Sequence, residues 1–386
     1  MSATQDPAGT RPPLDGLRVL DLSTVLAGPN CARYLADFGA DVIKVERPDG
    51  GDSLRNMAWR DPRDGAGLWW KLVNRNKRCI ALDLKHDVDR AVFLGLVDEA
   101  DVLVENFRPG TLERLGLGPD VLHARHPSLV ITRVTGFGQT GPYAGRPGFA
   151  TIAEVMSGLS SISGEPDGQP MLPAIALTDE VTGLVAAFAT MVALHARGPA
   201  GDGPGQVVDV SLLESLFQIM GPLISLYRLT GEMQPRLGTG LPYTVPRGTY
   251  RCADGSWVGL SASADTVARR VNAVLGVGDD PRFATFAGRM AHRDELEAIM
   301  RDWCAARPRD EVLRIFAEAE AAIGPVMDMA DIAADPHYAA REAIVEVEDT
   351  PMQGLVAKLS ATPGVLRWQG RGLDADGDDI RRHLWG

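Results

Sequence analysis

The stretch Leu17–Glu46, LRVLDLSTVLAGPNCARYLADFGADVIKVE, decides the fold. Its opening, Leu17–Leu22 (LRVLDL), is an apolar run of the length of a buried strand. Pro29 suits the first turn of a helix, and Pro29–Phe38 reads as that helix, closed by Gly39. Asp41–Glu46 (DVIKVE) is then a second strand. Strand, helix and strand in such close succession predict parallel pairing, because the helix carries the chain back to the starting edge.

The same alternation runs outward from this unit. Cys79–Leu84, Val102–Glu105 and Leu129–Val134 read as further buried strands, with a helix over Val88–Ala100. Gly198–Gly205 (GPAGDGPG) is a surface turn before another strand at Gln206–Val210. The expectation is a mainly parallel sheet covered by helices on both faces, with ligands bound at the strand ends. Beyond a helix predicted over Ser211–Leu229, the pattern changes. Arg247–Ser261 reads as a hairpin turning at Ala253-Asp254-Gly255, and helices follow near Ala264–Leu275, Arg293–Ala306 and Asp310–Ala322. This is a smaller α+β domain over about 230–325. The tail from about Pro325 returns to short strands and one helix and rejoins the first domain.

Bulk properties narrow the function. A chain of 386 residues fits two or three domains, and 45% hydrophobic against 23% charged residues is enough apolar material for a sizeable core. A net charge of −12 argues against a nucleic-acid surface, which needs a basic face. It leaves anionic small ligands open, since a few local cations can bind phosphate. Cys31, Cys79, Cys252 and Cys304 form no CxxC pair and imply neither a zinc site nor a disulfide framework. Met1–Pro13 is polar and lacks the basic start and apolar stretch of a secretory leader. No run of about 18 apolar residues spans a membrane. A reduced, cytoplasmic enzyme is the expectation.

Candidate ligand-binding residues cluster at strand ends. Val25–Pro29 could bring free N–H groups at a helix start to a phosphate. Glu46 stands where a dinucleotide fold places its ribose-binding acid, but GxGxxG is missing, so a nicotinamide site is disfavoured. Arg47, Lys77 and Arg114 could hold a phosphorylated nucleotide, and Phe107 could stack on its base. Taken singly, each Arg is more often a solvated surface residue and Phe107 more often core; their convergence near one rim of the sheet favours the ligand reading. Gly136–Pro142 (GFGQTGP) is a glycine-rich loop after a strand. Asp179 precedes the apolar stretch Leu184–Leu194 and reads first as a helix N-cap. A helix start also favours an ionised carboxylate, which a nucleophilic Asp requires. No GxSxG elbow, HExxH pair or histidine cluster competes.

Five blocks in order resemble the class III CoA-transferase (CaiB/BaiF) family. They are Val19–Pro48, Asn74–Lys85, Ala100–Gly118, Gly136–Phe149 and Thr178–Gly183, with weaker similarity through most of the remaining chain. The resemblance implies an α/β fold with a Rossmann-like large domain over 1–215, completed by 326–386, and a small α+β domain. It implies an interlocked homodimer, with coenzyme A and acyl-CoA as substrates, a carboxylic acid as acceptor and no permanent cofactor or metal. The family's catalytic Asp falls on Asp179, and its CoA-contacting positions on Leu26, Ala27, Arg47, Asn106, Phe107 and Arg114, with Lys77 nearby. The implied chemistry runs through an acyl-aspartyl anhydride and an aspartyl-CoA thioester.

This chain departs from the family at Gly148-Phe149-Ala150, where Gly-Tyr-Asp is common, and at Glu180, where an apolar residue is common. The alternatives are a 2-methylacyl-CoA racemase and a non-catalytic CoA-binding protein. Phe149 occupies the position of the racemase His and cannot move a proton, and an intact Asp179 argues against a silent binder.

Overall fold

The computed structural model describes residues 11–198 and 200–386. Most of the Met1–Pro13 start and Pro199 of the glycine-rich turn lie outside the described residues. The contacts divide the chain into two compact units. The first takes the described residues up to Gly158, Pro173–Gly221 and His337–Gly386. The second takes Leu159–Leu172 and Pro222–Pro336. The sequence boundaries shift accordingly. Leu159–Leu172 belongs with the second unit, and the chain re-enters the first near His337 rather than at 326.

The first unit is built on β1 (Arg18–Asp21), β2 (Asp41–Glu46), β3 (Lys77–Ala81), β4 (Val102–Glu105), β5 (Val130–Thr135) and β6 (Val207–Ser211). All pair in parallel in the order β3-β2-β1-β4-β5-β6. This is the doubly wound order, whose winding reverses beside β1 and opens a crevice at the carboxyl ends of the strands. Strands β1 to β5 are buried on both faces, as a covered parallel sheet requires, whereas the edge strand β6 exposes Val207 and Asp209.

The helices of this unit are α1 (Ala27–Asp37), α2 (Leu68–Val73), α3 (Asp87–Val97), α4 (Thr111–Arg114), α5 (Pro119–Arg125) and α6 (Ala150–Met156). On one face Leu20, Ile43, Ile80, Leu103 and Ile131 meet Phe93 and Leu96 of α3 and Leu122 of α5 in one core. Each such side chain contributes about 1.5–3 kcal/mol by leaving water. After the short α7 (Leu159–Ile162) of the second unit, α8 (Leu177–Ala196) packs with α1 against the other face.

Three expectations are corrected here. The helix expected from Ser211 to Leu229 is two, α9 (Leu212–Gln218) and α10 (Leu223–Thr230). Gly221, at φ +61°, and Pro222 interrupt it, and the units divide between them. Asp179 is not an N-cap, because α8 starts earlier, with Ala176 at the cap position. α8 is also long and apolar enough to cross a membrane by length and composition alone, contrary to the expectation that no segment is. Its small residues Thr182, Gly183, Ala186, Thr190 and Ala193 are buried inside the protein, and Asp179 and Glu180 occupy its first turn.

The second unit continues with β7 (Arg247–Arg251), β8 (Trp257–Ser261), α11 (Asp265–Val274), α12 (Phe286–Ala291), α13 (Arg293–Ala305), α14 (Arg309–Glu318), β9 (Ile323–Pro325) and α15 (Met329–Ala334). Its antiparallel sheet β7-β8-β9 encloses Tyr250, Val258 and Leu260 with Phe283, Leu296, Met300 and Phe316. The chain then forms α16 (Pro336–Ala340), the hairpin β10 (Ile344–Val347) and β11 (Thr350–Gln353), and α17 (Gly377–His383). α15 and α16 are additional to the single tail helix expected.

Candidate active site

At the carboxyl ends of β1 to β4 the crevice holds a cleft of about 340 Å³, whose walls include Thr24, Arg47, Asp52, Lys85, Phe107 and Leu115. Arg47 directly follows β2. Its Nε donates to the Gly51 carbonyl at 3.0 Å, and its two terminal nitrogens carry no hydrogen bond among the described residues. Phe107 is half-buried against the sheet core, and its N–H donates to Glu105 Oε2 at 2.7 Å. Glu105 in turn accepts from Arg133 Nε at 2.6 Å, so a buried ion pair sets the start of this wall. Lys85 adds a second cation, which the sequence reading overlooked. The signal was its place just beyond β3, where an exposed residue reaches the same crevice.

The other expected CoA contacts separate. Leu26 and Ala27 lie buried at the start of α1, where no side chain caps the helix. Both polar atoms of the Asn106 amide are engaged with Thr24. Oδ1 accepts the Thr24 N–H at 2.8 Å, and Nδ2 donates to the Thr24 carbonyl at 2.7 Å. Asn106 thus clasps the cleft-lining residue as a neighbouring strand would. Arg114 is exposed at the end of α4, where it donates to Thr111 Oγ1 at 2.7 Å, and its neighbour Leu115 lines the cleft.

Lys77 does not join this group. It opens β3 at the end of the strand away from the crevice, and it is fully buried. Its ammonium donates to Asp21 Oδ2 at 2.8 Å, the Pro29 carbonyl at 2.8 Å and Asn74 Oδ1 at 3.0 Å. Three partners exhaust its donors. Burial pushes Lys77 down to about 8 against the upward pull of Asp21. Burial would raise Asp21, but the charges of Lys44 and Lys77 hold it below its ordinary value. Lys77 is therefore an internal tie between β1, β3 and the first turn of α1.

Asp179 sits half-buried in the first turn of α8. Among the described residues no side chain donates to its carboxylate. Burial, then Glu180, then Glu154 push its pKa up to about 6. The helix start does not hold it low. At neutral pH it is still mainly ionised, and it is unencumbered. Its neighbours are both held away. Glu180 accepts from Asn30 Nδ2 at 3.0 Å and Tyr34 Oη at 3.3 Å and lies 3.6 Å from Arg33, which ties α8 to α1. Glu154 of α6 accepts from Thr178 Oγ1 at 3.0 Å. Such a carboxylate can act as a nucleophile toward an activated acyl group.

The Gly136–Pro142 loop leaves β5 with the Gly138 N–H on Thr135 Oγ1 and the Gln139 N–H on Asp209. Phe149 precedes α6, with an exposed ring.

The first unit thus carries a doubly wound crevice with two cations on its walls and, on α8, a part-buried carboxylate with no donor among the described residues. The profile of CoA-transferase family III matches residues 14–376, and the chain belongs to that family. It is 41% identical, over 97% of its length and 94% of the relative's, to a succinyl-CoA–D-citramalate CoA-transferase from Chloroflexus aurantiacus. It is 38% identical to a succinate–glutarate CoA-transferase from Agrobacterium fabrum, over 94% of this chain and 93% of the other. The crystal structure of a CaiB/BaiF family protein from Brucella suis superposes with a TM-score of 0.86 at 33% identity, covering 97% of this chain and all of that one. The protein is an enzyme of this class, a CoA-transferase.

Proposed function

We propose that the enzyme moves CoA from an acyl-CoA donor to a free carboxylic acid, with Asp179 as the covalent carrier. The observation that carries this reading is the Asp179 carboxylate, part-buried in the first turn of α8, with no donor among the described residues and a pKa of about 6. The Asp179 oxygen attacks the thioester carbonyl, forming an acyl-aspartyl anhydride and releasing CoA thiolate. The thiolate attacks the aspartyl carbonyl, breaking its bond to the bridging oxygen. The donor acid leaves as its carboxylate and an aspartyl-CoA thioester remains. The acceptor carboxylate then attacks that thioester, and the released thiolate takes the acceptor's acyl carbon and restores Asp179. Water must be kept out throughout, since it would hydrolyse each intermediate.

In this reading Arg47, with Lys85 beside it, holds the CoA phosphates and Phe107 packs on the nucleotide. Arg114 adds a further cation, and Leu26 and Ala27 offer the start of α1. The relatives' names point to small dicarboxylic acids, so succinyl-CoA is the first donor to test. No racemase activity is expected with Phe149 at that position. A homodimer belongs to the reading. Leu184, Val185, Phe188, Met191 and Val192 form an exposed apolar stripe on α8 at helical spacing, and a second copy would cover it. A cytoplasmic setting fits the four buried, free cysteines. The deciding experiment incubates the enzyme with succinyl-CoA and hydroxylamine and looks by peptide mass for a hydroxamate at Asp179. Modification of Glu180 or Glu154 instead would overturn the assignment.

A further inference from the structure

The loop between β1 and α1 is held at three successive residues by side chains from β1 and β2, from the residue after β4, and from the turn beyond β2. The Ser23 N–H donates to Asp21 Oδ1 at 3.0 Å, and the Ser23 carbonyl accepts from Lys44 Nζ. Thr24 is clasped by Asn106. The Val25 N–H reaches both oxygens of Asp52, at 3.1 and 3.2 Å. Val25 adopts φ +68°, a left-handed conformation that β-branched residues rarely take. Such a conformation persists only where its surroundings over-determine it. Here they do. Asp52 is 2% exposed, lies 3.2 Å from the fully buried Lys44, and also accepts the Leu54 N–H at 2.9 Å.

We propose that Asp52, fixed by Lys44, is a positioning residue for coenzyme A: it holds Val25 in the left-handed conformation and so presets the start of α1 beside the cleft. The inference rests on the reading of the cleft as the CoA site. Val25 immediately precedes Leu26 and Ala27, while Thr24 and Asp52 form part of the cleft wall. The turn cannot relax toward α1, because Gly28 already packs on Ser23, where an added Cβ would come within 2.4 Å of the Ser23 Cβ. With Asp52 in place the loop enters binding already ordered. Without it, part of the binding free energy goes into re-forming the turn.

The test measures the dissociation constant of free CoA by calorimetry, with KM and kcat for succinyl-CoA alongside. Asp52→Asn keeps the side-chain volume but removes the charge that Lys44 fixes, and CoA binding should weaken about tenfold, with KM rising more than kcat falls. Adding Val25→Gly should restore affinity to within about threefold, because glycine adopts a positive φ without strain. A merely structural role for the Lys44–Asp52 pair predicts no such rescue, since glycine does nothing for an unpaired ammonium. Val25→Pro removes the N–H and forbids a positive φ while leaving the pair intact, and should show the same loss even if Asp52→Asn does not fold. Unchanged CoA affinity in Asp52→Asn or Val25→Pro, or a double variant no better than Asp52→Asn, overturns the proposal. A wild-type protein that binds no CoA overturns the reading of the cleft as well.

Discussion

Gly183 and Asn30 lie back to back where α8 crosses α1, so close that a Cβ on Gly183 would stand 2.7 Å from the Asn30 Cβ and 3.2 Å from the Ala27 carbonyl oxygen. The contact lies one turn beyond Asp179 and beside the Asn30–Glu180 hydrogen bond. The height of the Asp179 carboxylate above the sheet is therefore set by a missing methyl group. Gly183→Ala should push the helices apart, cost about 1–3 kcal/mol in urea unfolding and lower kcat. A variant as stable and active as the wild type would show that the crossing tolerates more room than this spacing allows.

Asp179→Asn should abolish transfer and raise thermal stability together. The folded carboxyl titrates near 6, above its ordinary 3.8, so the folded state prefers the protonated form. Its contribution is fully present below about 3.8 and is lost as pH rises through about 6. At pH 7.5 the ionised group destabilises the fold by on the order of 1–3 kcal/mol, which an uncharged amide relieves. Melting curves at pH 5 and pH 7.5 check this, and the gain should be larger at pH 7.5.

The rate of acylation should rise with pH through about 6 and level off above it, because only the ionised Asp179 attacks. Glu154→Gln removes one of the two charges that raise this group and should move the acid limb to lower pH. Single-turnover acylation by the wild type and by Glu154→Gln, followed from pH 4.5 to 8, resolves the acid limb and its displacement.

Arg47→Ala should weaken CoA by about 1.5–3 kcal/mol, the range for hydrogen bonds to charged groups, and equally for every acyl chain. Lys85→Ala should act in the same direction. Calorimetry with free CoA and with two acyl-CoA esters separates this from an effect on the acyl group.

Phe188→Glu places a charge in the centre of the α8 stripe, where Phe188 is 72% exposed in the single chain. If a second copy covers that stripe, sedimentation of the variant should show monomers or aggregates where the wild type gives dimers. A wild-type monomer, or an undisturbed variant dimer, would place the covering partner elsewhere.

Apolar patterning is enough to reveal the sheet. Asp41–Glu46 and Val102–Glu105 fall on β2 and β4 as read, because strands buried on both faces have no alternation to obscure them. Arg47 and Phe107 are legible as crevice residues because each follows a strand's carboxyl end. Lys77 misleads for the complementary reason: a cation at a strand's other end looks the same in one dimension, and only the fold brings Asp21 and Pro29 to its ammonium. The start of α8 is misjudged from sequence because Asp179 is a good capping residue locally. Its carboxylate is free because the helix extends past it to Leu177. The clasp of Asn106 on Thr24 joins residues far apart in the chain, and no local pattern announces it.

The open edge of the sheet, β3, is closed by residues made long after it. The Cys79 N–H donates to Asp376 Oδ2 and the Ala81 N–H to Asp374 Oδ1, while Arg381 donates to the Ala81 carbonyl and Trp368 to that of Lys77. Cys79 and its partner are 297 residues apart. During synthesis the ribosome therefore exposes an unprotected strand edge for the whole time it takes to make the second unit. A nascent chain stalled before residue 374 should need chaperone cover, and a fragment ending at Gly221 should aggregate through β3 instead of folding alone.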